Sequence, residues 1–266
     1  MDYTDIRFEL EDGIAVVTID RPARMNAFRG RTVEELIHAF TRTWADPAVA
    51  CVILTGAGDR AFCAGGDQKE YALTGGYGTS SNGLFEIEAL HQVIRNVPKP
   101  VIAAVNGLAI GGGHVLQVVC DVSIAAEHAR FGQAGPRVGS FDAGYGTAYL
   151  ARVVGEKRAR ELWFFCRQID AATAERWGLV NAVVPKQRLL PEAMAWAREA
   201  AALSPTALRF LKSSFNADTA HVFGQGQLAF AGLDVFGKTE EAAEGRRAFA
   251  EKRTPDFKRF RKQADS

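Results

Sequence analysis

The sequence of 266 residues has almost no net charge: 32 Lys and Arg against 31 Asp and Glu leave +1 at neutral pH. No global field draws such a chain to nucleic acid or to a membrane surface. Cysteine is sparse. Cys51, Cys63, Cys120 and Cys166 are far apart, with no CxxC pair and no metal-ligand spacing, which fits free thiols in a reducing, cytoplasmic setting and no metal site. The opening stretch MDYTDIRFELEDG is acidic and alternating, unlike a signal or transit peptide. Val101 to Cys120 holds no charged residue over twenty positions, long enough to imitate a membrane span. Four glycines, Asn106 and His114 interrupt it, however, and Pro98 and Pro100 stand just before it. A buried strand, a loop and a buried helix explain the same run, so no membrane association is expected. Low-complexity tracts and an interdomain linker are absent too.

What is present is a repeated plan. Val16–Ile19 reads as a strand after the Asp12-Gly13 turn, Arg21–Phe28 as a loop, and Thr32–Trp44 as a helix with Val33, Leu36, Ile37 and Phe40 at helical spacing. CVILTGAGDRAFCAGGD (51–67) then gives a strand, a glycine turn and a glycine cluster, and PVIAAVNGLAIGGGH (100–114) repeats it before a helix. Leu73–Gly83 reads as a mobile Gly/Ser/Thr-rich loop, and the chain after Tyr145 as mostly helical. Ser204 caps a helix with proline at its first position and Leu208, Leu211 and Phe215 along one face. Strand-loop-helix units followed by helices predict an α/β or α+β fold.

Glycine inside an element costs stability, so the two clusters require a reason. A phosphate cradle would need a following Lys-Ser/Thr, and a dinucleotide site would need GxGxxG; neither pattern is there. Two uses remain: tight strand-helix packing, or an oxyanion hole in which a main-chain N–H from each loop points at one oxygen.

AFCAGGD, PVIAAVNGLAIGGGHVLQVVCD and FGQAGPRVGSFDAGYGT together resemble the crotonase (enoyl-CoA hydratase/isomerase) superfamily, over about Phe8 to Phe257. The resemblance implies a spiral of ββα units over residues 1–200 and a helical C-terminal trimerisation region over residues 201–266, assembled as a trimer or hexamer. It implies an acyl-CoA substrate whose thioester oxygen sits between the N–H groups of Gly66 and Gly112. The family's hydratases use two glutamates to handle water, and those positions here are Val115 and Gly135, so plain hydration is not expected. GGDQK, GSFDAGYGTAYLAR and RELWFFCRQ are similar to the branch that holds 1,4-dihydroxy-2-naphthoyl-CoA synthase and 2-ketocyclohexanecarboxyl-CoA hydrolase; MNAFRG, GAGDRAFC, GYGTA and SFNADTAH are more similar to the hydrolase.

That likeness makes Asp142 the acid/base, with Ser140 hydrogen-bonding nearby and Tyr77 contacting substrate. It assigns Arg24, Ala64, Gln68, Lys69, Gly135, Tyr145 and Lys252 to the substrate and its CoA. Gln133 and Trp163 match a small-anion site. Ala134 stands where bicarbonate-binding synthases carry threonine, so no cofactor is expected beyond the CoA of the substrate. Gly237 replaces a tyrosine that the synthases borrow from a neighbouring subunit, and Tyr149 is the last tyrosine in the chain, which weakens ring closure. His114 is expected to be a core histidine and Cys63 a buried filler. The basic tail GRRAFAEKRTPDFKRFRKQ fits CoA phosphates or solvation better than RNA. The expected activity is ring-opening hydrolysis of a 2-oxocycloalkane-carboxyl-CoA. The alternatives are the naphthoyl-CoA synthase reaction, enoyl-CoA hydration, or a non-catalytic acyl-CoA or RNA scaffold.

Overall fold

The computed structural model describes residues 1–261. Alternating apolar residues open the chain as the hairpin β1 (Ile6–Glu11) and β2 (Ile14–Ile19), turned at Asp12-Gly13, both at positive φ. Helix α1 (Gly30–Ala45) follows and buries Val33, Leu36, Ala39 and Phe40. The chain then alternates between two sheets. β3 (Cys51–Gly56) enters the first and β4 (Ala61–Cys63) the second, followed by α2 (Gln68–Thr74) and α3 (Ile87–Asn96). β5 (Val101–Val105) and β6 (Leu108–Ile110) repeat the step before α4 (Gly112–Val118). β7 (Val122–Ala126) and β8 (Arg130–Gly132) repeat it again before α5 (Gly135–Val138).

The first sheet has the order β1-β2-β3-β5-β7 and ends on β10 (Ala182–Val184), parallel except for the β1–β2 hairpin. The second has the order β4-β6-β8 and ends on β9 (Gln168–Asp170), which is antiparallel. Each turn of the chain thus deposits one strand in each sheet, which is the expected spiral. The charge-free run is resolved into β5, β6 and α4, and among the described residues no helix is long and apolar enough to cross a membrane.

The remaining chain is mainly helical: a π-helical turn (Tyr145–Tyr149), α6 (Leu150–Val154), α7 (Glu156–Phe164), β9 (Gln168–Asp170), α8 (Ala171–Arg176), β10 (Ala182–Val184) and α9 (Leu189–Ala201). Last come α10 (Pro205–Asp218), α11 (His221–Gly237) and α12 (Glu240–Ala250). The Ser204 hydroxyl accepts from Ala207 N–H at 3.3 Å, as its sequence position predicts. The apolar stripe of α10 does not turn inward, though: Leu211 and Phe215 are exposed, while Lys212 is buried. The Lys212 ammonium donates to the Lys99 carbonyl at 2.9 Å and pairs with Asp121 at 2.6 Å, which fixes that face of the helix to the core.

Two further expectations shift. Leu73 and Thr74 belong to the end of α2, closed by Gly75 in the left-handed region, so the loop begins two residues later. That loop is tied down by Gly30 N–H donating to the Tyr77 carbonyl at 2.7 Å. In the basic tail, Arg253 pairs with Glu244 and Glu251, and Arg247 lies near Glu240 and Glu244, so internal carboxylates match much of its charge. Lys262 and Gln263 at its end lie outside the described residues.

Candidate active site

The two glycine clusters meet backbone to backbone. Phe28 bridges to Gly66 in parallel, its N–H donating to the Gly65 carbonyl at 2.9 Å and its carbonyl accepting from Asp67 N–H at 2.8 Å. A methyl group placed on Gly65 would lie 3.2 Å from the Gly112 nitrogen. Gly111 takes φ +57°, and a methyl group on Gly113 would stand 1.9 Å from the Cys63 carbonyl oxygen. Part of the triple glycine therefore answers to packing: α4 can start only this close to β4 without side chains.

Gly112 and Gly66 face a shared aromatic wall. A Cβ on Gly112 would meet the Phe28 ring at 2.6 Å, and one on Gly66 would meet the Tyr77 ring at 2.4 Å. Those two rings pack edge to face, and Phe85 and Tyr71 complete the group. Among the described residues neither the Gly66 nor the Gly112 N–H donates a hydrogen bond. As the first residue of α4, Gly112 has an N–H that the helix itself leaves unpaired.

The support behind Gly66 is ionic. Asp67 caps α2 through Lys69 and Glu70 N–H, and its other oxygen pairs with Arg21 at 2.9 Å. Arg21 also lies 3.4 Å from Asp5, which takes a two-pronged contact from Arg29 and a hydroxyl from Thr32. Burial pushes the Asp5 carboxyl up. The hydrogen bonds from Arg29 and Thr32 and the charges of Arg29 and Arg21 outweigh it and hold the group below the usual carboxylate range. Gln68 bonds the Tyr77 hydroxyl at 3.1 Å, joining the α2 start to the aromatic wall. Burial raises the Tyr77 phenol, against the lowering effect of Gln68.

Asp142 lies on the loop after α5, whose π-helical turn packs on α4. Its Oδ1 accepts from Gly144 N–H at 3.0 Å and Gly146 N–H at 3.2 Å. Among the described residues Oδ2 accepts no hydrogen bond. Ser140, expected to hydrogen-bond nearby, has its N–H donating to the Gly135 carbonyl at 2.9 Å. Gly135 itself has no room for a side chain, since a Cβ would stand 2.5 Å from the Ser140 carbonyl oxygen. Val115 is wholly buried.

Gln133 and Trp163, matched to an anion site, are engaged within the protein: Gln133 with His114 Nδ1 at 3.0 Å, and the buried indole N–H with the Gly146 carbonyl. A buried indole N–H needs an acceptor, and the Asp142 loop supplies it. His114 is the core histidine expected; burial alone pushes it down to about 3. Cys63 is buried and its thiol is pushed up to about 12, as befits a filler. Tyr145 is buried, with Gln92 on its hydroxyl. Ala64 is half-buried, its N–H donating to the Met25 carbonyl at 3.1 Å, and Arg24, Lys69 and Lys252 are exposed. Gly237 lies within reach of Tyr71 of its own chain, whose ring also carries Arg246. The C-terminal helices pack on the Asp142 loop, with Gly144 against Gly226 and Gly139 against Ala242.

Sequence reasoning missed two residues of α3. Glu88 is half-buried, and both burial and the charge of Asp142 raise its carboxyl. His91 is buried beside Tyr145, their rings 5.8 Å apart at 84°. A signal was there: His91 occupies a position of the stripe formed by Ile87, Leu90 and Ile94, where an apolar residue is the rule.

The enoyl-CoA hydratase/isomerase family model matches residues 9–261. An enoyl-CoA hydratase structure from Mycobacterium avium subsp. paratuberculosis K-10 is 31% identical, with a TM-score of 0.85 over 96% of this chain and 99% of that one. A carnitinyl-CoA hydratase from Mycobacterium avium is 32% identical, with a TM-score of 0.84 over 96% and 98%. An enoyl-CoA hydratase from Bacillus anthracis is 33% identical, with a TM-score of 0.74 over 95% and 98%.

Proposed function

The chain belongs to the enoyl-CoA hydratase/isomerase family, and on that premise we propose that it opens the ring of a 2-oxocycloalkane-carboxyl-CoA by hydrolysis through a thioester enolate. The observation that carries this reading is the Asp142 carboxylate, with one oxygen fixed by two N–H groups and the other unengaged, in a site whose hydratase glutamate positions are a buried valine and a glycine with no space for a side chain. The thioester oxygen accepts from the Gly66 and Gly112 N–H groups. Asp142 Oδ2 takes a proton from water as the water oxygen bonds to the ring ketone carbon. The bond from that carbon to the α-carbon breaks, and its electron pair becomes the enolate held by the two N–H groups. The proton is then delivered to the α-carbon. One water is consumed, supplying the new acid's hydroxyl and the α-hydrogen. An oxyanion donor of this kind is worth about 3 kcal/mol of barrier. Arg24, Lys69 and Lys252 are exposed cations suited to the CoA phosphates.

Glu88 favours a second reading. Burial, and after it the charge of Asp142, raises the Glu88 carboxyl, and a raised carboxyl near a second carboxylate suits addition of water to an enoyl-CoA. Separate incubations with 2-oxocyclohexane-carboxyl-CoA, crotonyl-CoA and succinylbenzoyl-CoA, read by mass, decide between them. Pimeloyl-CoA is expected. 3-Hydroxybutyryl-CoA as the dominant product would replace the first reading with hydration, and a naphthoyl-CoA product would replace it with ring closure. Asp142→Asn should lower kcat by about 10³-fold and leave CoA-ester binding in place.

A further inference from the structure

We propose that Arg246, with the Tyr71 hydroxyl, is the anion-receiving end of the acyl site, so that the ligand class it holds is an ω-carboxyacyl-CoA. The inference deepens the ring-opening reading and rests on it for a thioester seated at Gly66. Hydrolysis of a 2-oxocycloalkane-carboxyl-CoA leaves such a chain: the former ketone carbon becomes a carboxylate, and the thioester stays on CoA. No further bond forms or breaks; the new carboxylate is held by an ion pair and hydrogen bonds.

Arg246 lies on α12 and is half-buried. Its neighbours in the basic tail are matched by carboxylates, Arg247 by Glu240 and Glu244, and Arg253 by Glu244 and Glu251. Arg246 pairs with no carboxylate among the described residues. Its Nη2 donates to the Gly237 carbonyl at 2.8 Å, and its guanidinium carbon stands 4.8 Å from the centre of the Tyr71 ring. Taking a charge partly out of water without a counter-charge is unfavourable. Gly237 is the last residue of α11, so closing that helix end accounts for one N–H of the fork. The bond and the ring hold the guanidinium in place, and its remaining donors suit a planar carboxylate.

Aromatic rings mark the path back to the thioester. Tyr71 packs edge to face on Tyr77 with ring centres 5.1 Å apart, and a Cβ on Gly66 would strike the Tyr77 ring at 2.4 Å. Two rings thus separate the guanidinium from the Gly66 backbone, a span that a chain of several methylenes covers against an apolar surface. Tyr71 is half-buried, and its hydroxyl makes no hydrogen bond among the described residues. A Cβ on Gly237 would already touch that oxygen at 3.6 Å, so a larger side chain there would cover it. The Arg246 charge acts on Tyr77 as well. Burial raises that phenol and Gln68 lowers it, followed by Tyr71 upward and Arg246 downward.

The test reads binding and needs no turnover. Calorimetric titration with pimeloyl-CoA, and with its uncharged ω-methyl ester, compares a charged and a neutral chain end. Wild type should bind the acid about 10-fold tighter than the ester. Arg246→Gln should weaken pimeloyl-CoA about 10-fold and leave the ester unchanged. Arg246→Lys keeps the charge without the fork and should recover part of the loss. Tyr71→Phe keeps the ring under the guanidinium and should cost the acid a smaller factor. Equal affinity of wild type for acid and ester, a comparison that needs no variant, overturns the proposal. So does a loss in folded Arg246→Gln that falls equally on both ligands. The ring-opening reading fails separately. If 2-oxocyclohexane-carboxyl-CoA is not opened but Arg246→Gln still loses its preference for the acid, the anion-receiving end stands and that reading falls. If rings open and acid and ester bind alike, the reading stands and this inference falls.

Discussion

At the scale of single residues, the glycines divide by task. A methyl group on Gly113 would collide with the Cys63 carbonyl at 1.9 Å, whereas one on Gly112 would press on the Phe28 ring at 2.6 Å. Backbone cannot yield cheaply, so Gly113→Ala should cost about 3 kcal/mol in denaturant unfolding. Gly112→Ala should cost less stability and more turnover, since the ring can tilt while the N–H is displaced. Asp5 gives the pH dependence at this scale. Its carboxyl is held below its unfolded value, so its contribution is complete above about pH 4 and disappears as pH falls through the folded value. Glu244 behaves alike: its hydrogen bond with Arg253 and the Asp256 N–H lower it to about 2. In acid titrations followed by circular dichroism, Asp5→Asn should flatten the loss of stability below about pH 4.

At the scale of elements, the start of α2 connects stability to chemistry. Asp67 caps that helix, pairs with the half-buried Arg21, and immediately follows Gly66. Removing it strips a cap and leaves a cation short of one partner, so Asp67→Ala should destabilise the protein by about 3 kcal/mol and lower kcat. Asp67→Asn can still accept from the helix N–H groups and should cost less. Equal losses for the two variants, measured by thermal unfolding, would show that the cap contributes nothing separate from the charge. The serine-capped start of α10 was legible as a helix because periodicity and capping are local. Which face it turned inward was not, because Lys212 takes an inward position for a partner far away in sequence.

At the scale of the molecule, the C-terminal helices leave apolar side chains uncovered: Phe210, Leu211 and Phe215 on α10, and Leu228 and Val235 on α11. Scattered exposed apolar residues are ordinary, but a concentration on two successive helices suits an interface. The assembly proposed is a trimer or hexamer of this chain. Sedimentation should give three or six chain masses, and Leu211→Asp with Phe215→Asp should shift it to the monomer. A monomeric wild type would remove that proposal.

The sequence by itself determined the alternation of strand, glycine turn and helix, because these follow from side-chain period and backbone freedom within a few residues; the spiral was implied only by the family resemblance of its motifs. It also singled out Gly66, Gly112, Tyr77 and Asp142 by motif. Only the tertiary structure decided that Gly113 serves packing, that the Asp142 carboxylate bonds N–H groups of its own loop, that Asp142 is near enough for its charge to raise Glu88, and that His91 is buried against Tyr145. Those outcomes depend on which distant backbone or charge ends up next to a residue, and no local pattern records that distance.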